Sequence, residues 1–504
     1  MKTKNRLFLA IVTVAILGTM WACKKQEQPT PPSMLSEKDK SSMTQLGKQL
    51  DNPYSVENMR KAWSNLKVNS PAIAALKIAP THLYVRFKPA NDEELTTLKN
   101  DELLDLYDYP LDREVTKQGS FYHDPSIPVG QPTYQYCAVK VDQELPAGIK
   151  YKVLAQLFIP DATNDDQGKN QRVADTEVAD ALVNEALRIT NNLNTTTIGR
   201  TTAKSWRPAG RIRVWDDNLN TFVALQGVEV KARRWFTTHK GITNSQGNYS
   251  CDGTFKRDAN YLIKWERYQF TIRQGALNDA QYNGPKRKGN WNLDIRNGGQ
   301  EFYATIFRAA YHYYYRDIQG LRRPPQNGTL NTKMRIRAYN ESNSDINGSH
   351  SEERRFLGLG NQIKMYNPQR NSRDIYGTTI HELAHASHWD LKRNDFDDSE
   401  SKVKESWARG VQWILTRVEY PGYRGGATIR PRYTQVVVDL IDGNSDVNNG
   451  SENTSQDNVS GYTPSQIEDA LRGQKTWNGW RNNIINRYNN STEGNVNTLF
   501  AFWN

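Results

Sequence analysis

Apolar residues recur along this chain with two different periods, and each period predicts its own kind of element. A spacing near 3.6 marks helices. Met59, Ala62, Trp63 and Leu66 share one face of a short helix with Ser55 as its N-cap. Glu93 to Leu98 reads as another short helix, and Ala174 to Leu193 as a longer one with Val178, Ala181, Leu182 and Leu187 on its apolar face. Glu301 to Arg316 is aromatic on more than one side, which predicts a buried helix. Asn371-Ser-Arg-Asp374 supplies capping residues and an early acid for a helix running through the 380s. Lys402 to Tyr420 follows with a stripe of Val403, Trp407, Val411, Ile414 and Val418. Thr463-Pro-Ser-Gln466 is a capping box with proline at the first helical position. It opens a helical C-terminal region that contains Trp477, Trp480, Ile484 and Ile485.

Alternation with a period of two marks strands at His82 to Phe87, Tyr134 to Val141, Met334 to Ala338 and Gln362 to Met365. Between residues 208 and 274 strand-like runs crowd together: Arg211 to Trp215, Val228 to Ala232, Gly247 to Cys251, Tyr261 to Trp265 and Gln269 to Arg273. Asn, Asp and Gly turns separate several of them, as in a small β-sandwich. The runs Gly210-Arg-Ile-Arg-Val214 and Leu225-Gln-Gly-Val-Glu-Val230, with the turn Thr243-Asn-Ser-Gln-Gly-Asn-Tyr249, resemble the transthyretin-like or carboxypeptidase-regulatory-like domain. That turn needs Gly247 at a positive φ. The resemblance implies a packing or binding module without chemistry of its own.

The patterns together predict a multidomain α+β protein. Residues 1–22 form a signal peptide, 23–68 a tether with a short helix, and 69–205 a mixed α/β N-terminal domain. Residues 206–275 form the sandwich, 276–299 a polar, basic linker carrying Pro285-Lys-Arg-Lys288, and 300–504 a last domain whose C-terminal part is mainly helical.

Charge and composition narrow the function classes. Hydrophobic content of 37% and charged content of 24% suit a soluble globular protein and exclude a multispan membrane protein. The net charge of +11 includes Lys2, Lys4 and Arg6, and no basic run is long enough to argue for nucleic acid. Those three cations precede an apolar stretch, Leu7 to Leu17, too short to span a bilayer comfortably. Ala22 then precedes Cys23. This resembles the signal of bacterial lipoproteins, which implies lipidation of Cys23 and, from Lys24 and Lys25, an outer-membrane destination. Met20 and Trp21 depart from the small residues usual there, so plain secretion is the other reading. Pro29, Pro31 and Pro32 suit a spacer above the lipid surface. A Cys137–Cys251 disulfide has nothing in the sequence to support it; two isolated cysteines read as buried apolar residues.

The chemistry concentrates at Ile380-His381-Glu382-Leu383-Ala384-His385. Two histidines four apart on a helix lie one turn above each other and can share one metal ion, with the glutamate beside them as a general base. Uncharged flanks and the upstream cap suit a helix buried behind a metal. A catalytic zinc needs a third protein ligand and one open position for water. His388 lies on the same face, but the helical rise from His381 is about 10.5 Å, against Zn–N bonds of about 2 Å. It is expected to support a ligand or to face substrate.

Glu405 is the better third ligand, at the edge of the stripe on the following helix; Asp398, Glu400 and Glu419 are its rivals. Here the chain resembles the gluzincin metallopeptidases, in which a glutamate on a second helix completes the site, and Glu405-Ser-Trp-Ala408 matches their E-x-x-A form. The resemblance implies a zincin-like catalytic domain, one catalytic Zn2+ held by His381, His385 and Glu405, and a protein or peptide substrate. It also implies a Tyr or His donor to the oxyanion, for which Tyr420, Tyr423 and Tyr433 are open candidates. Arg409 departs from the pattern, standing where many relatives place a carboxylate that supports a zinc-binding histidine. That support is then expected from Asp390 or a backbone carbonyl. The strand near Gln362 to Met365 is expected to pair with an extended peptide.

Two weaker features are read as bland. Asp442-Gly-Asn-Ser-Asp446 is a conceivable Ca2+ loop, but it lacks EF-hand spacing and reads as an ordinary loop. His123, beside Asp124, reads as a surface histidine. The reading from another class is a surface binding protein or adhesin with a vestigial zincin fold; the intact Glu382 weighs against it.

Overall fold

The computed structural model describes residues 37–160, 163–164, 171–172, 176–193, 204–274, 278–327, 333–339, 348–351, 362–366, 370–391, 395–425, 432–443 and 458–504. The stretch read as a signal peptide, Cys23 and most of the Asp442–Asp446 loop lie outside the described residues. The architecture is α+β, with several sheets and a helical C-terminal part. Among the described residues no helix is long and apolar enough to cross a membrane.

The N-terminal region is built on a three-stranded antiparallel sheet with His82–Lys88 between Gln135–Lys140 and Lys150–Leu157. The helices Val56–Leu66 and Thr176–Ile189 pack against each other, with Met59, Ala62, Leu182 and Ala186 in one buried cluster with Tyr84 and Leu157. Ser55 caps the first of them by accepting from the Asn58 N–H. This region begins earlier than residue 69. The strand Gln45–Gln49, read as part of a tether, pairs antiparallel with Arg113–Lys117, and Thr44 is buried under Asn283. Backbone pairing holds these polar residues down, and a hydrophobicity pattern does not register that. His123 also departs from its surface reading: it is 2% exposed and its Nε2 lies 2.9 Å from the Ile127 carbonyl.

Two four-stranded sheets fill the stretch expected to form a sandwich, and their strands differ from the expected set at the C-terminal end. One sheet runs Thr237–Ile242, Glu229–Arg234, Ala259–Lys264, Gln281–Arg287; the other has Ala209–Asp216 between Asn248–Ser250 and Leu293–Ile295, with Thr221–Ala224 also paired to Ala209–Asp216. Gly247 has φ of +76°, as its turn requires. The stretch 276–299 is no linker: it supplies the strands Gln281–Arg287 and Leu293–Ile295. The first is an edge strand, where Pro285 costs no ladder hydrogen bond on the open side and the cations stay in water. Conversely, Phe270–Gln274 leaves the sandwich for another sheet. Cys137 and Cys251 are unpaired, buried thiols, both pushed up to about 12 by burial.

That other sheet has the order Asn278–Asp279, Phe270–Gln274, Met334–Ala338, Gln362–Met365, Gly348–Ser351. Its three central strands are parallel and both outer pairings are antiparallel. Met334-Arg-Ile-Arg-Ala338 shows why both faces are covered. On one face Phe270 meets Phe307 of the helix Gly298–Tyr315, and Met365 meets Thr379 of the helix Ser372–Leu391. On the other, Arg273, Arg335 and Arg337 converge on Asp92, in the first turn of Asp92–Asn100, at 3.1, 3.6 and 3.7 Å. Gln362–Met365 is interior, paired on both sides, so it cannot take up a peptide; Gly348–Ser351 is the edge. One continuous hydrophobic core joins the sandwich, this sheet and the C-terminal helices, from Ile212 to Trp503.

Candidate metal centre

Ser372–Leu391 and Ser401–Glu419 carry the candidate ligands, and among the described residues they pack more extensively on each other than any other two helices do. The Asn371 side chain accepts from the Asp374 N–H at 2.9 Å and starts the first helix where the sequence places its cap. Of the apolar stripe of the second, Val403, Trp407, Val411 and Ile414 are buried, while Val418, in the last turn, is exposed; this rotation turns Glu405 toward the first helix.

His381 Nε2 lies 3.2 Å from His385 Nε2 and 3.2 Å from Glu405 Oε2, and His385 Nε2 lies 3.3 Å from that same oxygen. Three corners of a tetrahedron with bonds of ~2.0–2.1 Å to its centre lie ~3.3 Å apart. The three donor atoms therefore already stand at the separations a tetrahedral zinc requires, and their two-imidazole, one-carboxylate chemistry fits that ion. Burial pushes the Glu405 carboxyl up, but the hydrogen bonds and charges of the two imidazoles outweigh it and hold the group well below the usual carboxylate range.

Glu382 is 6% exposed and sits beside this triangle. Burial raises its carboxyl to about 7; the His381 charge opposes the rise and the Glu405 charge adds to it. A carboxyl in that place can take a proton from a group bound at the triangle and return it.

The rival third ligands are engaged elsewhere. Asp398 pairs with Lys475 at 3.0 Å, Glu400 accepts from the Trp477 N–H at 2.8 Å, and Glu419 binds Arg308 at 2.6 Å. Of the three tyrosines, only Tyr433 is beside the triangle. Its ring centroid lies 6.2 Å from that of His381. Burial, the Glu405 charge and a hydrogen bond to Glu405 raise its hydroxyl to about 12. Tyr420 donates to Asp216 at 2.6 Å, and Tyr423 is buried beside Gly377. His388 is completely buried and meets Phe396 edge-on at 4.9 Å, so it faces no substrate. Asp390 pairs with Arg322 at 3.5 Å.

Phe396 was not singled out by sequence reasoning, although it touches the rings of both His385 and His388. Asp217 and Asn218 were also missed. Asp217 Oδ1 accepts from the Ser372 N–H at 2.7 Å, and Asn218 Oδ1 from the Arg373 N–H at 2.8 Å. Their local signal is a polar turn between two strands, which says nothing about a helix 155 positions away.

No protein-family model matches the chain, and no curated protein matches it either.

Proposed function

We propose that this protein is a zinc-dependent peptidase of gluzincin type, acting on proteins or peptides outside the cytoplasm. The observation that carries the reading is the convergence of His381, His385 and Glu405 to separations of 3.2–3.3 Å with the buried carboxyl of Glu382 alongside. His381, His385 and Glu405 would hold the ion, which when bound supplies Lewis acidity and brings the ionisation of a water molecule toward neutral pH. Glu382 takes the proton of the attacking water at its carboxylate and returns it to the leaving amine. The Tyr433 hydroxyl is the donor best placed to stabilise the oxyanion that develops on the scissile carbonyl. Gly348–Ser351, the sheet edge packed near the histidine helix, suits pairing with an extended peptide. Export with a lipid anchor at Cys23 rests on the N-terminal sequence alone.

The test is zinc content and peptide cleavage in the wild type and in Glu382→Gln. One zinc per chain is expected in both, with cleavage reduced by about 10²–10⁴ in the variant. A wild type without zinc, or equal cleavage by both proteins, would sink the reading.

A further inference from the structure

The turn that links two strands of the sandwich touches the start of the histidine helix and Tyr420, the residue that caps the end of the glutamate helix. Asp217 and Asn218 accept from the Ser372 and Arg373 N–H groups at 2.7 and 2.8 Å, and Ser372 Oγ accepts in return from the Asp217 N–H at 3.4 Å. Two otherwise unsatisfied donors of the histidine helix are thus taken up from another part of the chain, and the carboxylate stands at the positive end of the helix dipole. The preceding residue, Asp216, is completely buried. Its Oδ1 accepts from the N–H groups of Asn218 and Leu219 and so shapes the turn. Its Oδ2 accepts from Arg308 at 2.7 Å and from the Tyr420 hydroxyl at 2.6 Å. Arg308 continues to Glu419, the last residue of the glutamate helix, at 2.6 Å, and Tyr420 follows that residue directly.

We propose that the Asp216–Asn218 turn is a positioning element of the metal centre, tying the start of the histidine helix to the end of the glutamate helix and so setting the separation of the three ligand atoms. None of the three residues touches a ligand. They act through two stiff helices: Ser372 stands ~13 Å along the axis from His381, and Glu419 ~21 Å from Glu405. The helices are buried and closely packed, so a slide of one along the other by ~1 Å would open a triangle whose edges must stay near ~3.3 Å. The sandwich then takes part in setting the centre's geometry, beyond the packing or binding role that its resemblance implies.

This inference rests on the metal reading, and the test separates the two. Cobalt(II) is titrated into the full-length wild type, into Asp217→Ala/Asn218→Ala and into Asp217→Asn/Asn218→Asp, while the visible d–d bands are recorded and zinc affinity is measured by competition. The alanine pair is expected to bind zinc at least tenfold more weakly with altered cobalt bands. The exchanged pair keeps an acceptor oxygen at each position and is expected to restore both. Tyr420→Phe, which removes one hydroxyl from the Asp216 cluster, serves if the alanine pair does not fold, with a weaker effect in the same direction. Cobalt bands and affinity within twofold of wild type in a folded alanine pair, or in Tyr420→Phe should that pair not fold, would overturn the inference alone. A wild type that binds neither metal would overturn the metal reading and this inference with it.

Discussion

Gly377 faces Gln412 where the two ligand-bearing helices cross, so closely that a β-carbon at position 377 would lie 2.9 Å from Gln412 Nε2 and 3.3 Å from the Tyr423 hydroxyl. Glycine inside a helix costs ~1 kcal/mol relative to alanine, and here that cost accompanies a tight crossing one turn before His381. Gly377→Ala is expected to fold with stability within about 1 kcal/mol of wild type, because the amide end of Gln412 can swing aside. Gly377→Val cannot be accommodated that way, since its branches also reach Tyr423 and Thr416. It is expected to weaken zinc binding at least tenfold and to lower Tm. Equal zinc affinity in the valine variant would show that the crossing does not set the ligand spacing.

Tyr433 and Tyr423 test the assignment of the oxyanion donor. Loss of one preorganised donor typically costs about 10²–10³ in kcat. Tyr433→Phe is expected to lose about that much in kcat with zinc retained and KM little changed, whereas Tyr423→Phe should leave kcat within about threefold. Steady-state kinetics on a single peptide substrate, with zinc measured on the same preparations, decides it. An unchanged kcat in Tyr433→Phe would place the donor elsewhere.

Much of the candidate site was legible because its logic is local: His381 and His385 share a helix face by periodicity with Glu382 between them, and Glu405 stands at the edge of an apolar stripe and was chosen over its rivals by the E-x-x-A resemblance. What escaped reading depends on contacts between distant segments. Gln45–Gln49 and Gln281–Arg287 are polar or proline-containing strands held by backbone pairing, and nothing in their own residues says which strand they join. Gln362–Met365 alternates like an edge strand, yet Gly348–Ser351, without apolar alternation, lies outside it. Asp217 looks like any turn residue until Ser372 comes within 2.7 Å.

Asp92 carries a heavier electrostatic duty than its exposed-looking sequence suggests. It answers three arginines, of which Arg273 and Arg335 are each only 1% exposed. Removing one partner from a buried ion cluster leaves uncompensated charge and typically costs about 3–5 kcal/mol. Asp92→Ala is expected to lose that much in urea unfolding, while its zinc affinity stays that of the wild type. A loss below about 1 kcal/mol would mean that water or other carboxylates already compensate the arginines.

His312 sets an acid limit on stability. It is completely buried; its Nδ1 lies 2.6 Å from the Tyr376 hydroxyl and its Nε2 3.3 Å from the Asp317 carbonyl. A carbonyl only accepts, so the proton sits on Nε2 and Nδ1 accepts from Tyr376. A second proton would face that donor, in a completely buried site. Burial, with the nearby Arg316 charge, lowers the imidazole to about 4 despite Glu419. The folded pKa is thus below the unfolded value of ~6.5. Above ~6.5 both states are neutral and the group contributes nothing to the pH dependence. Between ~6.5 and about 4 only the unfolded chain takes the proton, so stability falls as pH falls, by ~1.4 kcal/mol per pH unit and about 3 kcal/mol in all. His82, lowered to about 4 chiefly by burial, titrates in the same window. His312→Gln can still accept from Tyr376 and donate to Asp317, and between pH 6.5 and 4 its unfolding free energy is expected to fall less steeply with falling pH than that of the wild type, by ~1.4 kcal/mol per pH unit. An unchanged slope in the variant would show that His312 is already protonated in the folded protein.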